Sequence, residues 1–207
     1  MNRAEMVLKA LKRHYGRDAF KVNPEEPFRA LISCILSQRT RDENASKATN
    51  ALFTVASTPQ EILALDPAVL RRLIRPSGYF NQKAKHIIGA SAAIVERFGG
   101  VTPRIRADLM TLPGVGPKTA DIVLSYGYGE PAIAVDTHIH RVTKRIGLLH
   151  EKAAPADVKN VLENSLPREE YSYADGAILR IGKEYCKPGK PRCGECPLEK
   201  LCEKRVV

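Results

Sequence analysis

The sequence predicts an all-α protein. Three observations carry this: helix-start chemistry recurs along the chain, apolar residues repeat at helical spacing, and no run alternates apolar and polar residues as a half-buried strand would. Taken in order, Met6, Ala10 and Leu11 supply the apolar side of an N-terminal helix, and Phe28, Leu31, Ile32 and Ile35 supply that of the next. Thr58-Pro59-Gln60-Glu61 is a capping box with proline at the first helical position, and Asp66-Pro67 opens another helix. Asn81 is expected to cap a long run that reaches Phe98 and stops at Gly99-Gly100. Thr102-Pro103 is expected to begin a short helix feeding a glycine-punctuated break at 112–116. From Ala132 onward the chain holds three or so further helices and a cysteine loop.

A chain of 207 residues, 43% apolar, buries one good core or two small ones, so two closely packed lobes are expected. The break at 112–116 places a central block at 21–131, while periodicity leaves the N-terminal helix free to join either lobe. The formal charge of +10 gives a basic footprint for a polyanion, though solubility alone explains many basic proteins. No stretch approaches the roughly 18 apolar residues that cross a bilayer. The N-terminus opens straight into an amphipathic pattern, so an intracellular protein with no membrane partner is expected.

Chemistry concentrates between Thr111 and Arg141. Leu112-Pro113-Gly114-Val115-Gly116 separates two helix-like stretches; its glycines are expected to take positive φ and to leave backbone N–H groups uncovered for a phosphate oxygen. Lys118 falls in the first turn of the following helix, where the positive end of the dipole opposes its charge and favours a nucleophilic amine. Asp136 follows the apolar run Ala132-Ile133-Ala134-Val135 and precedes Thr137 as a helix N-cap, where a carboxylate is welcome. A hairpin grip for a nucleic-acid backbone thus sits beside an amine and a carboxylate.

Cys186, Cys193, Cys196 and Cys202 are spaced C-x6-C-x2-C-x5-C, which wraps four thiolates around one centre. Zinc is the rival to a [4Fe-4S] cluster, but structural zinc sites usually show two close C-x2-C pairs and this loop has one. In a reducing compartment two disulfides are a poor third. The basic stretch that includes Lys190 and Arg192 is expected to touch phosphates, the alternative being a solvated loop. Cys34, flanked by Ile32 and Ile35, reads as a buried core thiol.

On LPGVGPKTA at 112–120, VDTHIHRV at 135–142 and the cysteine spacing, the chain resembles endonuclease III of the helix-hairpin-helix DNA glycosylase superfamily over nearly its whole length. The resemblance implies a six-helix barrel lobe at 21–131 bearing the hairpin, a second lobe from 1–20 and 132–207 with a [4Fe-4S] loop at 186–202, and damaged or abasic duplex DNA bound by a monomer in the cleft between them. It implies that Lys118 attacks C1′ of a flipped nucleotide, expels the base and forms a Schiff base whose β-elimination nicks the strand, while Asp136 stabilises oxocarbenium-like charge. Gly114, Val115 and Gly116 would grip phosphate.

The family's gap-filling glutamine corresponds to Arg39, with Gln38 beside it, and its leucine wedge corresponds to Tyr79, which could instead be a core residue. His138 matches a family histidine, and His140 stands where an aromatic is common. Neither pairs as a metal ligand, since a spacing of two turns the rings to different faces.

The expected activity is a base-excision glycosylase with AP lyase chemistry on oxidised or damaged pyrimidines. T:G or U:G mismatch excision is the alternative within the superfamily. The adenine-directed branch differs at Lys118 and Cys34. A non-catalytic DNA-binding or redox-sensing module would not need both Lys118 and Asp136.

Overall fold

The computed structural model describes residues 1–205, among which there are eleven α-helices and no strand. These are α1 (Arg3–Tyr15), α2 (Pro27–Ser37), α3 (Asp42–Phe53), α4 (Pro59–Ala64), α5 (Pro67–Ile74), α6 (Phe80–Phe98), α7 (Arg106–Leu109), α8 (Pro117–Ile122), α9 (Thr137–Arg145), α10 (Pro155–Ser165) and α11 (Tyr171–Glu184). No described helix is long and apolar enough to cross a membrane. The chain divides into two compact units: Asn23–Glu130, and Met1–Val22 with the chain from Pro131 onward.

In the first unit α2 is the central element, packed against α3, α6 and α8. Phe28, Leu31, Ile32 and Ile35 are fully buried, as their spacing predicts, and each such side chain contributes roughly 1.5–3 kcal/mol by leaving water. Proline at the first helical position recurs in α2, α4 and α5, with Glu26, Thr58 and Asp66 as their side-chain caps. The long helix α6 ends as the sequence predicts, at Gly99 with φ 62°, and the Gly100 amide closes on the Ile94 carbonyl. Its start differs. The N-cap is Tyr79 in a left-handed conformation, and Asn81 lies inside the first turn. Thr102-Pro103 likewise does not begin a helix; α7 starts at Arg106, after Ile105. After α8 the chain makes a π-helical turn, Val123–Gly127.

The second unit joins the chain's beginning to its end. On α1 the buried stripe is Ala4, Val7, Leu8 and Leu11, so Met6 and Ala10 sit at its margin rather than on it. The stripe packs with Ile139 and Val142 of α9, Leu162 of α10 and Ile178 and Ile181 of α11. Asn2 starts α1 with a capping box to Glu5, and its amide also donates to the Ser165 carbonyl at 2.8 Å. Both α9 and α11 carry their apolar residues toward this core, and Cys186, Cys196, Leu201 and Cys202 pack on its edge.

Candidate functional site

The hairpin belongs to the first unit. Leu112 is buried and anchors it, and the Val115 amide closes the turn on the Leu112 carbonyl at 3.1 Å. Gly114 has φ 81°, and a Cβ there would lie 2.8 Å from His86, so both backbone and space require glycine. Gly116 differs from the expectation: its φ is −104°, an extended N-cap for α8 that any residue adopts. A Cβ on Gly116 would meet nothing within 4 Å. The missing side chain therefore matters only for what approaches the α8 N-terminus from outside.

Two further contacts fix the hairpin. Arg106 of α7 donates through Nε to Asp121 of α8 at 2.9 Å, and Gln38 Nε2 donates to the Gly114 carbonyl at 2.9 Å. Lys118 is exposed in the first turn of α8. Its neighbour Thr119 is buried and bonds Cys34 Sγ at 3.4 Å. Burial pushes the Cys34 thiol up, with the Thr119 bond and the Lys118 charge pulling partly against it, so Cys34 is the inert core thiol expected.

The loop residues split in their roles. Gln38 is committed to the hairpin, whereas Arg39 is exposed at φ 51°. Tyr79 is 65% exposed at φ 45°, which excludes a core position for it.

Asp136 belongs to the second unit. Its Oδ1 accepts from the amides of His138 and Ile139, each at 2.8 Å, so the N-cap read from the sequence is present and Oδ2 lies outside the cap. The approach to it is an extended segment held by carboxylates instead of a neighbouring strand. Ile133 N donates to Glu163 Oε1 at 3.0 Å and Ala134 N to Asp175 Oδ1 at 2.8 Å. His138 packs on α11, where a Cβ on Gly182 would come within 2.6 Å of its Cβ, and its Nδ1 lies 3.2 Å from Arg141 Nη2. His140 turns its Nε2 to the Ala153 carbonyl at 2.7 Å, a local backbone contact.

The far end of α9 grips the cysteine loop. Arg141 donates to the carbonyls of Gly182 (3.0 Å) and Cys186 (2.8 Å), and Arg145 to those of Lys187 and Pro188, both at 2.8 Å. Arg145 is singled out by neither periodicity nor motif, and Arg141, although it lies within VDTHIHRV, was given no role by the sequence. Arg192 spends its guanidinium on Glu195 Oε2 within the loop and on the Glu184 carbonyl at the end of α11, while Lys190 is exposed.

All four loop cysteines are free thiols of intermediate burial. Among the described residues no three His, Cys, Asp or Glu are set to hold a metal ion, yet the four sulfurs lie near enough to repel one another as thiolates. Burial first, and the other three cysteines after it, push the Cys196 thiol up to about 11. The Lys204 amide donates to Cys202 Sγ at 3.3 Å, the kind of contact that tunes a bound cluster.

Comparison with known proteins agrees with this geometry. The family model described as HhH-GPD superfamily base excision DNA repair protein matches residues 32–168, and the iron-sulfur binding domain of endonuclease III matches residues 186–202. Endonuclease III of Thermotoga maritima is 45% identical over 178 residues, 86% of this chain and 83% of the relative. That of Escherichia coli is 37% identical over 205 residues, 98% and 97% of the two chains. A structure of a trapped endonuclease III–DNA covalent intermediate superposes with a TM-score of 0.88 at 33% identity, covering 99% of this chain and 97% of that one. A thermostable thymine-DNA glycosylase at 22% identity shares the fold, with a TM-score of 0.85. The chain belongs to the endonuclease III family of HhH-GPD superfamily base excision DNA repair proteins, and is a DNA glycosylase with a [4Fe-4S] cluster.

Proposed function

We propose that the protein binds duplex DNA, excises oxidised or ring-damaged pyrimidines and nicks the resulting abasic site by β-elimination. The observation that carries this reading is Lys118, an exposed amine in the first turn after a Gly-Val-Gly hairpin. It attacks C1′ of the extruded nucleotide; the C1′–N bond breaks and the base leaves with a proton, the sugar ring then opens at C1′–O4′ to give an imine, and that imine acidifies C2′–H so that its proton and the 3′ phosphate are lost together. Asp136 is assigned the stabilisation of the developing positive charge, its cap on α9 using only Oδ1.

Gly114 and Gly116 present backbone amides to a phosphate, Val115 having spent its own on the turn between them, while exposed Arg39 and Tyr79 fill and prise the gap left by the extruded nucleotide. Gln38 supports the hairpin instead of entering that gap. His138 reaches DNA only through its Nε2, Lys190 adds a phosphate contact, and Arg192 shapes the loop that carries it. The protein acts as a monomer.

A panel of duplexes carrying thymine glycol, dihydrouracil, T:G, U:G and an abasic site tests the substrate class. Excision of the first two is expected, and confinement of activity to T:G or U:G would replace this reading by mismatch repair. Phosphate contacts also predict that log affinity falls linearly with log salt, with a slope of about 0.9 per contacted phosphate. A flat response would remove the hairpin grip.

Cys186, Cys193, Cys196 and Cys202 are the ligands proposed for the [4Fe-4S] cluster, which when bound cross-links four points of the loop. Ligation must deprotonate thiols that burial otherwise keeps protonated, so cluster assembly is expected to release protons and to slow in acid. Cys196→Ser is expected to cost the brown iron-sulfur absorption and to open segment 187–192 to proteolysis. Iron content unchanged in that variant would remove Cys196 from the ligand set.

A further inference from the structure

In the first unit two non-glycine residues hold left-handed backbone, Arg39 at φ 51° and Tyr79 at φ 45°. Each such residue is strained and persists only where its surroundings over-determine it. The turns are far apart in sequence, one after α2 and one before α6, yet a single side chain ties them. Lys83 on α6 is 3% exposed. Its Nζ donates to the Leu36 carbonyl at 2.6 Å, to Thr40 Oγ1 at 2.7 Å and to the Ser77 carbonyl at 2.8 Å, so all three of its hydrogens are used. Its backbone amide donates to the Tyr79 carbonyl at 3.0 Å, and Thr40 Oγ1 itself donates to Ser77 O.

A buried ammonium is an expensive way to fill space. Burial pulls the Lys83 amine down to about 8, and a methionine in the same stripe would carry no such penalty. Low basicity alone would make Lys83 a rival nucleophile to Lys118. Its enclosure by three acceptors rules that out and gives it a different role.

We propose that Lys83 is a positioning residue that clasps segments 36–40 and 77–79 and thereby presents Arg39 and Tyr79 to DNA as one rigid pair. The inference rests on the proposed entry of those two residues into the duplex. A pre-set pair spares the entropy of ordering two long side chains and two strained turns while a base pair is being opened. An already unpaired lesion makes no such demand.

The test compares Lys83→Met and the milder Thr40→Val with the parent holoenzyme. Excision is measured from a fully paired duplex and from a duplex holding the same lesion in a single-nucleotide bulge, and amide exchange is followed across 36–41 and 77–80. The paired-to-bulged rate ratio is expected to fall on the order of 10- to 100-fold in Lys83→Met and less in Thr40→Val. Exchange should quicken in both turns, with protection retained in α2 and α6.

Unaltered exchange, or equal losses on both substrates, would overturn the proposal; so would an unaltered ratio in Lys83→Met where Arg39→Ala and Tyr79→Ala lower it. If those two alanine variants themselves leave the ratio unchanged, the reading of the turns as DNA-entering is what fails. Should Lys83→Met not fold, Thr40→Val alone decides between a lowered and an unaltered ratio.

Discussion

Lys118→Ala is expected to abolish borohydride trapping on an abasic duplex and to cut strand nicking on the order of 10³-fold or more, because no imine forms without the amine. The side chain is exposed and makes no packing contact that the hairpin needs, so folding should change by no more than about 0.5 kcal/mol. That separation gives the experiment its force: a lost adduct in a chain with an unshifted melting curve isolates chemistry from scaffold. Phosphate binding by the hairpin amides should survive, so affinity for an abasic analogue is expected to stay within a few-fold. A covalent adduct of undiminished yield would assign the imine to another amine and end the proposed role of Lys118.

The second large effect is expected at Asp136, where the proposed catalytic role and a helix cap fall on one side chain. Oδ1 caps α9, and asparagine caps a helix as well as aspartate does. Asp136→Asn should therefore leave stability nearly unchanged while removing the charge that meets the oxocarbenium-like transition state, at a cost of about 10²- to 10⁴-fold in base excision. Asp136→Ala should show the same kinetic loss plus about 1 kcal/mol of instability from the missing cap. Single-turnover excision beside thermal melting checks both. An asparagine variant with full activity would reduce Asp136 to its structural duty.

The elements most legible in the sequence are those whose cause is local. Thr58 with Glu61, Asp66 before Pro67, and Gly99-Gly100 after Phe98 each satisfy orphan backbone groups from within a few residues, and each sits where it was expected. Asp136 is legible for the same reason. Where the expectation failed at the start of α6, a distant contact had overridden the local signal. Asn81 is a good cap by type, but the clasp around Lys83 holds Tyr79 at the start of α6 instead. Gly116 looked like a second left-handed glycine, yet it lies extended as the N-cap of α8. Lys83 did leave a trace, since it falls with Ile87, Ala90 and Ile94 on one helical stripe, and a lysine on an apolar stripe is a buried cation in want of acceptors.

By itself the sequence determined the helical class, the hairpin, the lysine after it, the capping aspartate and the four-cysteine loop, because each depends on residue type and short spacing. Only the tertiary structure decided that Gln38 serves the hairpin while Arg39 is exposed, that Arg141 and Arg145 bind α9 to the cysteine loop, and that Lys83 joins two turns. Those roles are fixed by which backbone carbonyls a long side chain finds after folding, and carbonyls carry no signature in a sequence.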